Sequence, residues 1–230
     1  MFVTTLKNWQ RSGYQCLGVV LLFLGSFMIQ PSDCAGETLS PAAEIAGKPS
    51  TLNWPTARGD AQSTGHADQT LPEKLQVLWE YKADEAIETT PVVVGKRVFV
   101  SDVMGKVYAI DRGTGKEIWK VDFDTGFLAS PAVKSANLLI GDIDGNLYNL
   151  DVVTGKELWR KSTDGEIQGS VAFHGENVLA ASGDGKLHCF RLKDGAKVWM
   201  YEANDQIRCS PTVAGDRTFL GGLRWPTPCC

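Results

Sequence analysis

The chain has 230 residues, of which 43% are hydrophobic and 22% charged, with a formal net charge of −4. That is ordinary globular composition, rich in glycine (24) and tryptophan (7). Mild acidity argues against a nucleic-acid partner, which would call for a basic face, and no polybasic run points to an anionic membrane surface.

The N-terminus reads as an export signal. Lys7 and Arg11 supply positive charge, and Cys16 to Ile29 form an uncharged apolar stretch. Pro31, Ser32 and the small pair Ala35-Gly36 follow, as near a cleavage point. The apolar run matches a signal core and is short for a spanning helix. Pro31-Ser32-Asp33 before Cys34 lacks the small and aliphatic residues of a lipobox. Residues 1–36 are therefore expected to be a signal peptide, and the protein to be exported to the periplasm or cell envelope. Segment 37–72 is rich in Ser, Thr, Ala, Gly and Pro, and is expected to be a mobile leader that docks near Trp54.

From residue 73 onward the chain repeats itself. Trp79, Trp119, Trp159 and Trp199 stand forty residues apart. Gly105, Gly145 and Gly185 keep the interval, as do Gly115, Gly155 and Gly195, and Pro91, Pro131 and Pro211, with Val171 in the remaining slot. Such a period decides the fold before any motif is weighed.

One unit runs from Thr90 to Phe123. Pro91–Val94 is a short apolar run, Gly95-Lys96 a turn, and Arg97–Ser101 a strand. Gly105 marks the next turn and Lys106–Asp111 a third strand. Arg112–Gly115 is a tight turn in which glycine takes positive φ at no steric cost, and Lys116–Val121 is the fourth strand. Four short antiparallel strands in forty residues make one propeller blade. Gly145–Trp159 and Gly185–Trp199 repeat the second half of the unit, and no sustained helical period follows the signal. The fold class predicted is all-β: a partial, open β-propeller of about three to three-and-a-half four-stranded blades over residues 73–222. Wide Trp rings between successive sheets supply the burial that one sheet lacks.

Ala109-x-Asp111-x-x-Thr114-Gly115-Lys116-x-x-Trp119 resembles the tryptophan-docking motif of the pyrroloquinoline-quinone (PQQ) dehydrogenase type of β-propeller. Asp151, Thr154, Gly155, Lys156 and Trp159 match it, with Asn149 departing at the first position; Cys189, Arg191 and Asp194 depart in the third copy, leaving Gly195 and Trp199. Asn53–Asp60 is similar to the WPxxRG-type opening that precedes such propellers in exported bacterial proteins. The resemblance covers about residues 53–221. It implies that Trp79, Trp119, Trp159 and Trp199, with Gly115, Gly155, Gly195, Asp111 and Asp151, are structural staples and not catalysts. It specifies a fold and leaves activity open, since sites are grafted onto folds.

A fourth unit begins at Ser210–Val213 and runs through Thr218–Gly221. Trp225 then takes the slot of the expected glycine, and Pro226 and Pro228 stand where a central strand would not tolerate them. Residues 223–230 are expected to be an aberrant or truncated C-terminus. A shifted reading frame is the hypothesis for it, since TGG followed by a proline codon reads GGC, glycine, one base on; DNA in which no downstream frame continues the forty-residue pattern would refute it. Cys229-Cys230 invites comparison with the vicinal disulfide of quinoprotein dehydrogenases but lies outside the repeat register.

Other motifs read as structure. Asp142–Asn146 has its glycine too early for an EF-hand and reads as a β-turn. Gly113–Lys116 lacks phosphate-loop spacing and reads as a hairpin turn. His66, His174 and His188 share no metal-ligand spacing; His188 fills the Tyr108/Tyr148 strand position, and Cys189 reads as a buried strand residue. No GxSxG, HExxH or kinase signature is present.

Two functions follow. The first is an exported, non-catalytic scaffold that binds other exported proteins, cell-envelope components among them, and needs no cofactor. Propellers resembling it include outer-membrane assembly factors and sensor domains of bacterial Ser/Thr kinases. The second is a fragment of a PQQ-dependent quinoprotein dehydrogenase, which would take PQQ and calcium. An open arc leaves unpaired edges, so self-association through blade edges is expected, unless the chain belongs to a longer product.

Overall fold

The computed structural model describes residues 53–67 and 73–221. The signal peptide, the first part of the leader and the C-terminal tail lie outside the described residues. Fourteen strands form three four-stranded antiparallel sheets and one two-stranded sheet, with no helix among the described residues. The first sheet is β1 (Val92–Val94), β2 (Arg97–Ser101), β3 (Lys106–Asp111) and β4 (Glu117–Asp122), in that spatial order. The second is β5 (Ala132–Lys134), β6 (Asn137–Gly141), β7 (Asn146–Asp151) and β8 (Glu157–Ser162). The third is β9 (Ala172–His174), β10 (Asn177–Ala181), β11 (Lys186–Arg191) and β12 (Lys197–Glu202). The hairpin β13 (Thr212–Ala214) and β14 (Arg217–Phe219) opens a fourth.

The hydrophobic pattern follows from stacking. Middle strands are covered on both faces, β7 and β11 by neighbouring sheets and β3 by one sheet and the Trp79–Ala83 segment, so each carries four consecutive buried residues. Outer strands face solvent on one side and alternate: in β4, Trp119 and Val121 turn inward between exposed Glu117, Lys120 and Asp122. The core is accordingly a series of slabs and not one centre. Tyr108 and Ile110 of the first blade pack with Trp79 and Tyr81; Phe99 and Leu150 share a slab with Trp119; Leu147 and Phe190 share the next with Trp159; Leu187 and Val213 share the last with Trp199. Repeat proteins gain their burial at such junctions.

Each outer strand carries the same irregularity. Trp119 pairs with Ala109 and Glu117 with Ile110, so Ile118 is the extra residue of a β-bulge. Leu158 and Val198 are its counterparts in β8 and β12. A bulge bends and twists an edge strand and so blunts it against further pairing. Here it also turns one aliphatic side chain per blade toward solvent.

The leader behaves differently from a free tail over residues 53–65. Trp54 pairs with Val93 of β1 by two backbone hydrogen bonds (2.7 and 2.9 Å), Val133 N–H of β5 donates to the Pro55 carbonyl (2.8 Å), and Val213 N–H of β13 donates to Ala61 (2.8 Å). The segment thus crosses the innermost strands of three sheets and ties the hub together.

Candidate functional site

The repeat staples come together as the period requires. The indole N–H of Trp79 donates to the Arg112 carbonyl (2.8 Å), that of Trp119 to Val152 (3.2 Å) and that of Trp159 to Leu192 (2.9 Å). Each acceptor lies in the turn between the third and fourth strands of the next blade. The same turn presents a glycine in left-handed conformation: Gly115 at φ 70°, Gly155 at 73° and Gly195 at 68°. A Cβ there would stand 2.7, 2.8 and 2.9 Å from ring carbons of Trp79, Trp119 and Trp159 respectively. Glycine is therefore required twice over, by backbone conformation and by the flat ring lying against it.

Asp111 and Asp151 hold these turns. Asp111 Oδ1 accepts from the N–H of Gly113 (3.0 Å) and from the N–H and hydroxyl of Thr114 (2.8 Å each). Asp151 Oδ1 does the same with Val153 and Thr154. The Thr114 hydroxyl and N–H keep the Asp111 carboxyl below the usual carboxylate range. The third turn departs in sequence and is held by other chemistry. Arg191 replaces the aspartate and pairs with Asp194 (3.0 Å), while Asp194 accepts from the Ala196 N–H (3.0 Å). Trp199 packs half-buried against the last slab, and no docking turn meets it among the described residues.

A second repeated device escaped the sequence reading. Asp102 and Asp142 are fully buried at the turn after the second strand. The Tyr108 hydroxyl donates to Asp102 (2.7 Å) and the Tyr148 hydroxyl to Asp142 (2.8 Å). Burial, and then the carboxylate, push both phenols well above their ordinary value. Ser182 stands in the third aspartate slot; Asp184, two residues on, meets the His188 Nε2 instead (2.8 Å). The signal was present in sequence as Asp102 and Asp142 forty residues apart with Tyr six residues later.

The third pair makes a pH prediction. Burial raises the Asp184 carboxyl, but hydrogen bonds from His188 and the Lys186 N–H outweigh it, and the group rests below its usual value. A depressed carboxylate stabilises the fold fully above its unfolded pKa, about 3.9, and loses that contribution as pH falls through the folded value. His188→Phe removes the partner. Its deficit in urea midpoint relative to the parent is expected to narrow as pH drops from about 5 to about 3. A constant deficit across that window would show that the pair is not coupled. Cys189, on the neighbouring strand position, is buried as expected, and burial pushes its thiol up to about 11.

At the hub, the segment Thr56–Asp60 arches away from β9, whose Phe173 N–H has no counterpart of the bonds that Val93, Val133 and Val213 make among the described residues. A mostly apolar cavity of about 220 Å³ lies there, lined in part by Arg58, Asp60, Lys134, Ser170 and Phe173. Its one carboxylate, Asp60, accepts from Thr64 and sits below the usual range, hydrogen bonds outweighing burial. No group of three His, Cys, Asp or Glu side chains converges among the described residues.

Around the circumference, the bulge residues Ile118, Leu158 and Val198 are 42%, 50% and 46% exposed. They recur at one position on three successive outer strands, one exposed aliphatic residue per blade.

Comparison with known proteins agrees with the geometry. The family model described as outer membrane protein assembly factor BamB, a PQQ-type repeat, matches residues 103–172 and 144–222, together more than half of the chain. No curated protein sequence matches significantly. Among solved structures, BamB from Moraxella catarrhalis superposes with a TM-score of 0.57 at 23% identity, over 63% of this chain and 46% of that one. Quinohemoprotein alcohol dehydrogenase from Comamonas testosteroni gives 0.59 at 25% identity, over 71% of this chain and 29% of that one. The computationally designed Ika4 protein gives 0.59 at 16% identity, over 65% of this chain and 93% of that one. The chain thus spans less than half the length of the two natural proteins. With indole-to-turn docking at three successive junctions and the family model matching most of the propeller, the chain belongs to the PQQ-like β-propeller repeat family.

Proposed function

We propose that the chain is an exported, non-catalytic propeller scaffold that binds other proteins of the cell envelope. The observation that carries this reading is the repeated exposure of Ile118, Leu158 and Val198, one half-exposed aliphatic residue per blade at the same outer-strand position. Interfaces commonly seat an apolar centre within a polar rim, and Glu117, Lys120, Glu157 and Lys197 supply that polar surround. The description of the family model as an outer-membrane assembly factor, and the signal-like N-terminus, favour the envelope as the compartment.

Membership of the same fold in quinohemoprotein alcohol dehydrogenase favours a second reading, a fragment of a quinone-dependent enzyme. The donor chemistry weighs against it. Calcium takes six to eight oxygen ligands, and PQQ is a tricarboxylate. The hub cavity offers a single carboxylate already engaged by Thr64, and its cations Arg58 and Lys134 bond to Ser63 and Gly175 carbonyls. These residues do not fit the pair.

A photo-crosslinking residue at position 158, in the full-length protein expressed in a Gram-negative bacterium, tests the proposal. Fractionation into the envelope and a discrete crosslinked species, lost when Ile118 and Val198 are changed to lysine, are expected. Cytosolic residence without crosslinks would contradict it. So would saturable PQQ and calcium binding with dye reduction by an alcohol or sugar.

A further inference from the structure

Four innermost strands present the same backbone donor to the hub, and three of them meet a carbonyl of the leader. The Val93 N–H donates to Trp54 (2.9 Å), the Val133 N–H to Pro55 (2.8 Å) and the Val213 N–H to Ala61 (2.8 Å). Phe173 holds the same register in β9: it pairs with Val178 as Val93 pairs with Val98 and Val133 with Leu138. Its N–H therefore faces the hub as well, yet it meets no acceptor among the described residues. Backbone donors withdrawn from bulk water normally find one.

A hydroxyl is left over at the same place. The Thr90 N–H donates to the Ser130 hydroxyl oxygen (2.8 Å) and the Ser170 N–H to that of Ser210 (2.9 Å). The repeat calls for a third bond, from the Ser130 N–H to Ser170, and it is not made among the described residues. Ser170 is 6% exposed, so little bulk solvent reaches it. Ser170 and Phe173 both line the cavity of about 220 Å³ between the leader and β9.

The leader does not settle onto β9, because its own bonds hold it in an arch. The Thr56 carbonyl accepts from the Gly59 N–H (3.0 Å), Ala57 from the Trp54 indole (3.4 Å), Arg58 from the Gly65 N–H (2.9 Å) and Asp60 from the Ser63 N–H (3.1 Å). Gly59 turns at φ 88° against the Trp54 ring, where a Cβ would stand 3.0 Å from a ring carbon. The carbonyls of Thr56, Ala57, Arg58 and Asp60 are thus spent within the leader, and the cavity keeps its donors.

The charge around it is net positive. Arg58 and Lys134 face one carboxylate, Asp60, which Thr64 holds through its N–H (3.0 Å) and hydroxyl and which stays ionised below the usual range. Arg58 spends its Nε on the Ser63 carbonyl (3.0 Å), and the Lys134 ammonium bonds the Gly175 carbonyl with Glu176 at 4.0 Å. A guanidinium carries five N–H groups and an ammonium three, so both retain donors. The remaining wall is apolar: Val133, Ala172 and the Phe173 ring, with the Lys134 ammonium 5.9 Å from the ring centre.

We propose that this cavity binds a small monocarboxylic acid with a ring-sized apolar body. Its carboxylate takes the Phe173 N–H and the Ser170 hydroxyl, Arg58 and Lys134 balance its charge, and its body lies against Val133, Ala172 and Phe173. An apolar cavity of roughly 150 Å³ accepts benzene, so this one accommodates a ring together with a carboxylate. The inference rests on the hub and is independent of the envelope-partner reading, which rests on the bulge residues.

The test is a titration of the full-length protein, labelled with ¹⁵N-phenylalanine, with sodium benzoate. The Phe173 amide resonance, assigned through Phe173→Leu, is expected to move saturably. Benzyl alcohol has the same ring without the charge and is expected to bind about tenfold more weakly, as loss of one charge-assisted hydrogen bond implies. Ser170→Ala, and separately the double variant Arg58→Gln with Lys134→Gln, are each expected to weaken benzoate by about the same factor. Ser170→Ala breaks no bond of the hydroxyl in the unliganded protein, so its melting profile should match the parent. Ser130→Ala is the control: it orphans the Thr90 N–H and lies outside the cavity lining, so it should lower the melting midpoint and leave benzoate binding intact. A Phe173 amide that millimolar benzoate does not move, as in a cavity that holds water only, overturns the proposal. So does benzyl alcohol binding as tightly as benzoate, or binding that Ser170→Ala and the double variant leave unchanged.

Discussion

Trp159→Ala is expected to destabilise the protein by about 3–5 kcal/mol, the range for deleting a large aromatic from a packed core. Trp159 is 9% exposed and the most buried of the four period-setting indoles, and it packs with the slab that joins the second and third blades. Its truncation removes three things at once. The ring area goes, the plate against Gly195 goes, and the Leu192 carbonyl loses its indole donor, keeping only a long contact from Asn149 (3.4 Å). Trp159→Phe separates these effects: it keeps most of the ring and costs chiefly the hydrogen bond, about 1–3 kcal/mol when a buried acceptor is orphaned. Urea denaturation followed by far-ultraviolet circular dichroism measures both. An unchanged midpoint for the alanine variant would mean that the junction is not held by this ring.

Asp142→Ala is expected to cost about 2–5 kcal/mol, from orphaned donors and not from lost apolar area. The carboxylate is fully buried and accepts from the Asn146 N–H (2.6 Å), the Asn146 side-chain amide (2.9 Å) and the Tyr148 hydroxyl (2.8 Å). Alanine leaves at least two of these donors without an acceptor inside the protein. Tyr148→Phe alone removes a donor together with its hydroxyl and leaves a carboxylate still bonded to Asn146. The phenylalanine variant should therefore be milder, and the double variant should cost less than the sum of the two singles. Strict additivity in that cycle would show that the pair does not interact.

The blades were legible because their signal is local and repeated. Arg97–Ser101 and Lys106–Asp111 emerge from turn residues and apolar runs with the bounds that β2 and β3 show. Forty-residue spacing then carries those bounds to the other blades. The docking of Trp79, Trp119 and Trp159 on Gly115, Gly155 and Gly195 is legible for the same reason: ring and glycine recur with one offset.

What the sequence concealed is long-range or broken in period. Trp54, Pro55 and Ala61 each bond to a different sheet, and nothing periodic marks a segment that crosses the hub once. Composition rich in small and polar residues reads as a leader that docks near Trp54, without naming the three strands that the segment meets. The buried Asp–Tyr pairs were hidden by their third copy, where Asp moves from position 182 to 184 and histidine replaces tyrosine. The bulges at Ile118, Leu158 and Val198 depend on how the fourth strand pairs with the third, which a pattern of apolar and polar residues does not encode. The exposed bulge residues that carry the proposed function therefore became visible only in three dimensions.

Indole hydrogen exchange tests the central claim, that one ring per junction docks on the next blade's turn. In protein labelled with ¹⁵N-tryptophan, and with resonances assigned through single Trp→Phe variants, the indole N–H groups of Trp119 and Trp159 should exchange slowly with solvent. That of Trp199, which has no docking turn among the described residues, should exchange faster. If Trp119 and Trp159 exchange as fast as free indole, the rings are not wedged between sheets and the account fails.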